Sequence, residues 1–212
     1  MTIQYELQNI ISGNGHVRHG EIIQAINAYL KRKKEAVSKL KETKFGKDEE
    51  TKVLTEFIAE SNLWYPEVGS ARFIGEGAEQ KIYEFSDPDF VLKLNDSIFY
   101  AWWADYFNSL LIHNYFFPHL AYELLGFKAV DGKLYAVVKH PFVRVTESTN
   151  LANVKEFLAA NGFINKKGND YFHPDLGIIL EDLHDENVLT SEGVLQFIDT
   201  VFFLTDKFYK TT

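Results

Sequence analysis

Three oxygen-bearing side chains near the C-terminal end of the chain, Asp182, Asn187 and Asp199, have types and spacing suited to phosphoryl transfer. The Asn follows the first Asp by five residues, and the second Asp comes directly after the mostly apolar run 195–198. Transfer of a phosphoryl group from a nucleotide requires one carboxylate that orients or deprotonates the attacking hydroxyl. It also requires Asn and Asp oxygens that bind the magnesium ions bridging the phosphates. The pattern therefore predicts Asp182 as the catalytic carboxylate, and Asn187 and Asp199 as metal ligands.

The composition of the chain limits the classes of protein to consider. Its 212 residues, 46% of them hydrophobic, are enough for one domain or two small lobes. The formal net charge of −8 argues against general nucleic-acid binding. There is no cysteine, which excludes disulfides and thiolate metal sites. No apolar stretch approaches the length of a membrane span and the N-terminus shows no signal pattern, so we expect a soluble cytoplasmic protein with no membrane partner.

The first part of the chain predicts helices. Apolar residues recur at helical spacing over 20–43, and a second helix is predicted over 47–60. We interpret residues 1–66 as a helical N-terminal extension, whose first eighteen residues show little more than a turn signal. Segment 31–47 carries eight Lys or Arg and only two Glu. We expect it to be a solvated face, and a weaker hypothesis is that it docks an acidic partner or nucleic acid.

From residue 72 the pattern changes to that of antiparallel strands, with helices between them. The aromatic-rich segment 97–117 predicts a helix that is buried on several sides. Asp131-Gly132 is the strongest hairpin signal in the chain. The predicted strands are 72–74, 81–85, 90–94, 124–130 and 134–138; after a helix over 150–161, short strands around Ile178 and Leu195 flank the loop that carries Asp182.

Two features of this strand region could bind phosphate. Gly75 and Gly77 lie in a turn, where the missing side chains let backbone N–H groups approach phosphate oxygens. Lys93 interrupts an apolar strand, where an unpaired ammonium is costly to bury, and it could reach the phosphates if an acidic group holds it. Asp105 and Glu79 are both open as that partner. Each feature alone has a plain explanation, as a tight turn or a strand-edge lysine, but their order before the Asp182 loop favours a nucleotide site.

The ordered set resembles the kinase-like domains found in polyvalent proteins of phages and conjugative elements. The resemblance covers about residues 73–199, and the spacing Asp-Leu-His-x-x-Asn is also similar to that of aminoglycoside-phosphotransferase-like kinases. It implies an α+β, two-lobed minimal protein-kinase-like fold, with an N-lobe over 67–138 and a hinge and truncated C-lobe over 139–212. The matching motifs are Gly-Ala-Glu at 77–79, Ile-His-Asn-Tyr-Phe-Phe-Pro at 112–118, Glu-Leu-Leu-Gly-Phe at 123–127, Ala-Val-Val-Lys-His-Pro-Phe-Val at 136–143 and Asp-Leu-His-Asp-Glu-Asn at 182–187.

The resemblance also implies an activity and a set of cofactor contacts. It implies ATP-dependent phosphorylation with Mg²⁺, in which Lys93 and the two glycines hold the phosphates and a hydroxyl on a protein or a small molecule is the acceptor. Segment 139–143 would be the hinge whose backbone bonds adenine, which adds Lys139, His140 and Phe142 to the predicted nucleotide contacts. The chain departs from the kinase pattern after Asp199, where Thr200-Val201 replaces Phe-Gly. That departure argues against a mobile activation segment.

Two other interpretations use the same residues. His184-Asp185, with His173 and Asp199, could bind metal in an HD-type phosphohydrolase, but that chemistry usually sits on helices and the flanking segments predict strands. We expect His184 to brace its own loop, and His113 and Asn114 to be structural. The second alternative is a nucleotide-binding pseudokinase that acts as an interaction module. The intact Lys and oxygen-bearing residues favour catalysis over that module.

Overall fold

The computed structural model describes residues 2–40, 45–66, 72–77 and 80–210. Among these residues the chain forms a mixed α+β fold, which confirms the predicted class. None of the described helices is both long and apolar enough to span a membrane. The helices are α1 (Ile3–Ile11), α2 (Glu21–Leu40), α3 (Lys47–Glu60), α4 (Trp103–Phe116) and α5 (Leu151–Ala160), with a 3-10 turn at Pro118–Leu120. The strands are β1 (Phe73–Glu76), β2 (Gln80–Glu84), β3 (Phe90–Asn95), β4 (Glu123–Val130), β5 (Lys133–Pro141), β6 (Ile164–Lys167), β7 (Asp170–His173), β8 (Ile178–Glu181), β9 (Val188–Ser191), β10 (Val194–Phe197) and β11 (Val201–Leu204).

The first five strands form one antiparallel sheet in the order β1-β2-β3-β5-β4. β3 lies in its centre, so that Lys93 stands between Ile82 on β2 and Val138 on β5. The hairpin predicted at Asp131-Gly132 joins β4 to β5, and both residues have positive φ, 50° and 79°, as the tight hairpin turn requires. The later strands form the β9-β10 hairpin and a four-stranded sheet in the order β11-β8-β7-β6.

Two large hydrophobic cores underlie this arrangement, and a smaller third cluster consists of Leu92, Leu94, Tyr135 and Val137. The first joins α2, α3 and α4 to one face of the five-stranded sheet, with Trp103, Phe107 and Phe127 among its largest buried side chains. The N-terminal helices therefore share a core with the first sheet. The second core joins α5 to the later strands, with Phe197 and Phe202 at its centre. The domain limits at residues 66 and 138 stay predictions.

Helix α1 links the two cores and was not predicted. Its Leu7 is buried in the second core and its Ile10 in the first. The side chain of Gln8 donates from Nε2 to the carbonyl of Phe208 at 2.5 Å, which ties the helix to the far end of the chain. The signal that could have revealed α1 is Thr2, whose hydroxyl caps the helix by accepting from the N–H of Tyr5.

Helix α4 is held at its N-terminus by side chains from α3. The buried carboxylate of Glu50 accepts from the N–H groups of Trp103 (2.6 Å) and Ala104 (3.3 Å). Glu50 thus serves as the N-cap acceptor of α4, because the side chain of the cap residue, Trp102, makes no capping hydrogen bond. Burial raises the pKa of Glu50 and the two N–H groups oppose that rise. Lys47 adds hydrogen bonds from Nζ to carbonyls in the loop just before α4.

These contacts change the interpretation of the basic segment 31–47. Lys47 is bonded to backbone, and Lys34 lies 4.2 Å from the ring of Trp102, so both pack against the start of α4. Lys31 and Arg32 are exposed, as a solvated face predicts. Residues 41–44 lie outside the described residues. The proposed acidic or nucleic-acid partner stays a hypothesis.

We predict that Glu50→Ala lowers the free energy of unfolding by about 2 kcal/mol, because two helix N–H groups lose their acceptor. Glu50→Gln should cost less, since its amide oxygen can still accept. Urea denaturation measures both values. The matched control is Glu49→Ala at the neighbouring exposed position, which should change stability by less than about 0.5 kcal/mol. Equal values for Glu50→Ala and Glu49→Ala would show that the carboxylate does not cap α4.

Candidate active site

A cleft of about 630 Å³ lies where the first sheet, α4 and the loop after β8 meet. It brings together Asp182, Asn187 and Asp199, the three residues with which the sequence argument began. The sheet side of its lining includes Gly77 from the turn after β1 and Val138 from β5. Helix α4 contributes Tyr106, Ser109, Leu110 and His113.

The centre of the site is an ion pair between Lys93 and Asp199. The two groups meet at 2.7 Å between Nζ and Oδ1, and Nζ also donates to the carbonyl of Ile198 at 3.2 Å. The lysine side chain is only 4% exposed and the aspartate 21%, so the ammonium has left water and needs this partner. Lys93 and Asp199 therefore face a common site.

Among the described residues, the acidic partner of Lys93 is Asp199 and not Asp105. Asp105 was one of the two candidates, and it lies instead where the charges of Lys34 and Lys47 act on it. Burial raises the pKa of Asp105, and those two lysines oppose the rise. Glu79, the other candidate, lies outside the described residues. The partner is instead Asp199, in the segment between β10 and β11, which also places the carbonyl of Ile198 against the Lys93 ammonium.

The loop after β8 places Asp182 at the mouth of the cleft. Its backbone has φ of +64°, a left-handed conformation that Asp tolerates better than most residues. Its N–H donates to Oδ1 of Asp170, and its own carboxylate is 61% exposed. The side chain of Asn187 donates to the carbonyl of Asp182 at 2.7 Å and to its Oδ2 at 3.0 Å. The carboxylate thus accepts from Asn187 at Oδ2, has Nε2 of His184 3.4 Å from Oδ1, and is still largely exposed.

Asn187 also connects this loop to the Asp199 segment. The backbone carbonyl of Asn187 accepts from the N–H groups of Ile198 (3.0 Å) and Asp199 (3.3 Å). His184 braces the loop as predicted, because its Nδ1 accepts from the N–H of Glu186 and its Nε2 lies 3.1 Å from the Asn187 amide. The spacing of the motif therefore has a structural reason as well as a chemical one.

Of the two predicted turn glycines, Gly75 lies within β1 opposite Ile82, and only Gly77 lies in the turn that follows. Among the described residues, a Cβ on Gly75 would meet no atom within 4 Å, and on Gly77 the nearest atoms would be those of Gln80 at 4.0 Å. Neither residue has a positive φ. The N–H of Gly77 closes the turn by donating to the carbonyl of Gln80 at 2.8 Å. The open space beside them suits a ligand that approaches the backbone closely.

Helix α4 supports the site through two adjacent polar side chains. His113 is fully buried, and its ring nitrogens lie 2.7 Å from the Thr200 hydroxyl and 3.0 Å from the Leu120 carbonyl. Because the carbonyl can only accept, Nε2 carries the proton and Nδ1 accepts from Thr200. Burial lowers the pKa of His113 to about 3, so the ring is neutral. The side chain of Asn114 donates to the carbonyl of Tyr122 and accepts from its N–H. Both residues are structural, as predicted.

Comparison with protein families identifies the chain. Residues 47–206 match the family described as a serine/threonine/tyrosine kinase found in polyvalent proteins. The chain belongs to this family. Comparison with curated proteins and with solved structures gave no match. The family assignment makes the chain a kinase-like phosphotransferase and confirms the resemblance drawn from the motifs. It also includes α3, which the sequence argument had placed in the extension.

The three residues predicted to form the hinge of the kinase lie outside the described lining of the cleft. Lys139 pairs with Glu123 at 2.6 Å, and His140 is buried within the fold. Phe142 is 49% exposed, and its N–H already donates to the carbonyl of Asp89 at 2.8 Å. Among the described residues, the cleft lining includes Val138 of β5 but not Lys139, His140 or Phe142. Their predicted contact with adenine stays a prediction, with the Phe142 N–H already used.

The residues of the phosphohydrolase alternative do not come together. His173 lies against the ring of Phe163 at the end of β7, and its Nδ1 accepts from the N–H of Leu176. It is not among the described residues that line the cleft containing Asp199. Asp185 is exposed in the loop and is also outside that lining. The kinase interpretation therefore accounts for more of the geometry.

We predict a coupling free energy of about 2 kcal/mol between Lys93 and Asp199 in a double-mutant cycle, because the ammonium is buried. The cycle uses Lys93→Met, Asp199→Ala and the double variant, each measured by urea denaturation. The exposed pair Lys33 and Glu56, at 3.6 Å, is the control, and it should couple by less than about 0.5 kcal/mol. If the two cycles gave the same coupling, the buried pair would not be a structural element of the site.

Proposed function

We propose that the protein is a Mg-ATP-dependent kinase that transfers the γ-phosphoryl group to a hydroxyl, with a protein hydroxyl as the first candidate acceptor. The observation that carries the proposal is the Lys93–Asp199 pair at 2.7 Å, in which Asp199 lines the cleft together with Asp182 and Asn187 and Lys93 is buried beside it. A cation and several oxygen ligands around one cavity match what a nucleotide triphosphate with its metal requires. The expected setting is the cytoplasm, with no nucleic-acid partner.

The phosphates would be held from the sheet side of the cleft. Lys93 supplies a positive charge in a nearly dry position, where its attraction for phosphate oxygens is stronger than in water. The N–H groups around Gly75 and Gly77 would approach the same phosphates, since among the described residues no side chain crowds the space beside these glycines. The adenine would lie beside the end of β5 and be bonded by backbone of 139–143. The side chains of Lys139 and His140 would not take part.

The metal would be held from the opposite side. The carboxylate of Asp199 and the amide oxygen of Asn187 are the hard oxygen ligands that Mg²⁺ prefers. Among the described residues no group of three His, Asp or Glu side chains is arranged to hold a metal alone. That fits Mg²⁺ in kinases, which is held by one or two carboxylates together with the phosphates of the substrate. When bound, the ion neutralises charge on the phosphate oxygens.

Asp182 would act on the acceptor. Its carboxylate is exposed at the mouth of the cleft and accepts from Asn187 at Oδ2, and Oδ1, which lies 3.4 Å from Nε2 of His184, would receive the proton of the acceptor hydroxyl. As the hydroxyl oxygen bonds to the γ-phosphorus, the bond from that phosphorus to ADP breaks and the hydroxyl proton passes to Asp182. Lys93 remains beside the phosphates that leave with ADP. Positioning and charge neutralisation supply most of the acceleration in such a site.

We predict that Asp182→Asn reduces phosphoryl transfer by about 10²–10⁴-fold, because the acceptor hydroxyl loses its proton acceptor. The protein is incubated with Mg-ATP and a mixture of peptides that contain Ser, Thr and Tyr. Mass spectrometry then identifies phosphorylated peptide or protein, and ADP release gives the rate. Asp185→Asn is the matched control, a carboxylate of the same loop that does not line the cleft, and it should retain wild-type turnover.

The outcomes separate the possible functions. Turnover in wild type and Asp185→Asn that is lost in Asp182→Asn supports the kinase. Tight nucleotide binding with no ADP release from wild type contradicts the proposal and favours the pseudokinase module. Loss of a metal-dependent hydrolysis in Asp185→Asn would contradict it in favour of the phosphohydrolase.

A further inference from the structure

The two adjacent polar residues of α4 reach the Asp199 segment from two directions. His113 bonds the hydroxyl of Thr200, the residue directly after Asp199. Asn114 instead holds Tyr122, the residue whose hydroxyl reaches the peptide directly before Asp199. His113 and Asn114 were predicted from the sequence as structural residues, whereas Tyr122 was not predicted. The sequence feature that could have pointed to Tyr122 is its position just ahead of β4, and that position has meaning only once the fold is known.

The hydroxyl of Tyr122 lies at the centre of the proposed metal side of the cleft. It is 2.5 Å from the carbonyl of Ile198 and 3.2 Å from Oδ1 of Asp199. The single proton of the hydroxyl is therefore directed mainly at the carbonyl, with the carboxylate as a second acceptor. The Nζ of Lys93 lies 5.5 Å from the centre of the tyrosine ring and donates to the same two oxygens. One ammonium and one hydroxyl thus hold the same peptide and the same carboxylate oxygen.

The position of this hydroxyl is fixed by the surroundings of the tyrosine. The Asn114 side chain accepts from the Tyr122 N–H and donates to its carbonyl, both at 2.8 Å. The ring packs against His113 at 4.6 Å and His140 at 4.4 Å between centroids. The residue is 5% exposed, and its hydroxyl donates to the Ile198 carbonyl, which can only accept.

We infer that Tyr122 is a positioning residue for the metal ligand: together with Lys93 it holds the Ile198 carbonyl and Oδ1 of Asp199, so that Oδ2 is the oxygen left for the divalent cation. This inference rests on the proposed function. Helix α4 contains a single carboxylate, Asp105, and that group lies among other lysines. The group that orients Asp199 together with Lys93 is therefore a neutral hydroxyl, and α4 positions that hydroxyl through Asn114.

A purely structural role for Tyr122 would have a different consequence from a positioning role. Removing a buried hydroxyl that only stabilises the fold would lower stability, and it would alter nucleotide affinity equally with and without Mg²⁺. Removing a hydroxyl that orients Asp199 would weaken binding only when the metal takes part. The ratio of the two nucleotide affinities therefore separates the roles.

The test compares Tyr122→Phe with wild type in calorimetric titrations of ATP, once with Mg²⁺ and once with EDTA. The phenyl ring keeps the packing against His113 and His140, so only the hydroxyl is lost. We expect the Mg²⁺-dependent gain in ATP affinity to fall by about tenfold, as is usual when a group that orients a metal ligand is removed. Affinity in EDTA should stay within about twofold of wild type. Tyr135→Phe is the matched control, a buried tyrosine of β5 outside the cleft lining, and it should keep the full gain.

Each outcome bears on one of the two proposals. If wild type shows no gain in ATP affinity from Mg²⁺, the proposed function is wrong. If wild type shows the gain and folded Tyr122→Phe keeps it in full, the inference about Tyr122 is wrong and the proposed function stands. A second variant, with 4-aminophenylalanine at position 122, restores a donor on the same ring and should recover the wild-type gain. Loss of the gain in that variant, folded as judged by circular dichroism, would also overturn the inference.

Discussion

The structure depends on the burial of one ammonium group. Lys93 lies in the central strand of the first sheet with its side chain 4% exposed, and an unpaired charge there would be costly. Its partner comes from the turn after β10, whose flanking strands belong to the second core. The pairing therefore fixes how the first sheet meets the later strands, and it places the cleft at that junction. Stability and the proposed chemistry use the same two side chains.

Uncharged side chains of α4 also help to hold the segment around Asp199 in place. His113 and Asn114 hold the residues around Asp199, and the helix itself is fixed at its N-terminus by Glu50 and Lys47 of α3. The N-terminal helices thus support the site although they do not line it. This connection gives a physical reason why the family match begins at residue 47 and includes α3.

Local patterns in the sequence predicted the parts of the site that are close together along the chain. The Asp182–Asn187 spacing, the lysine in β3 and the Asp131-Gly132 hairpin each depend on a few neighbouring residues, and the structure places them as expected. The partner of Lys93 was missed because Asp199 is 106 residues away and the choice depends on how two sheets meet. Tyr122 was missed for the same reason. Helix α1 and strands β6, β7, β9 and β11 were missed because short elements carry weak periodicity.

The most direct test is a crystal structure of the protein with Mg²⁺ and an ATP analogue that cannot be hydrolysed. We predict that the triphosphate lies in the cleft, with Lys93 Nζ within hydrogen-bond distance of a phosphate oxygen and the cation bound by Asp199 and Asn187. A nucleotide bound elsewhere on the surface, with the Lys93–Asp199 pair remote from its phosphates, would contradict this assignment of the site.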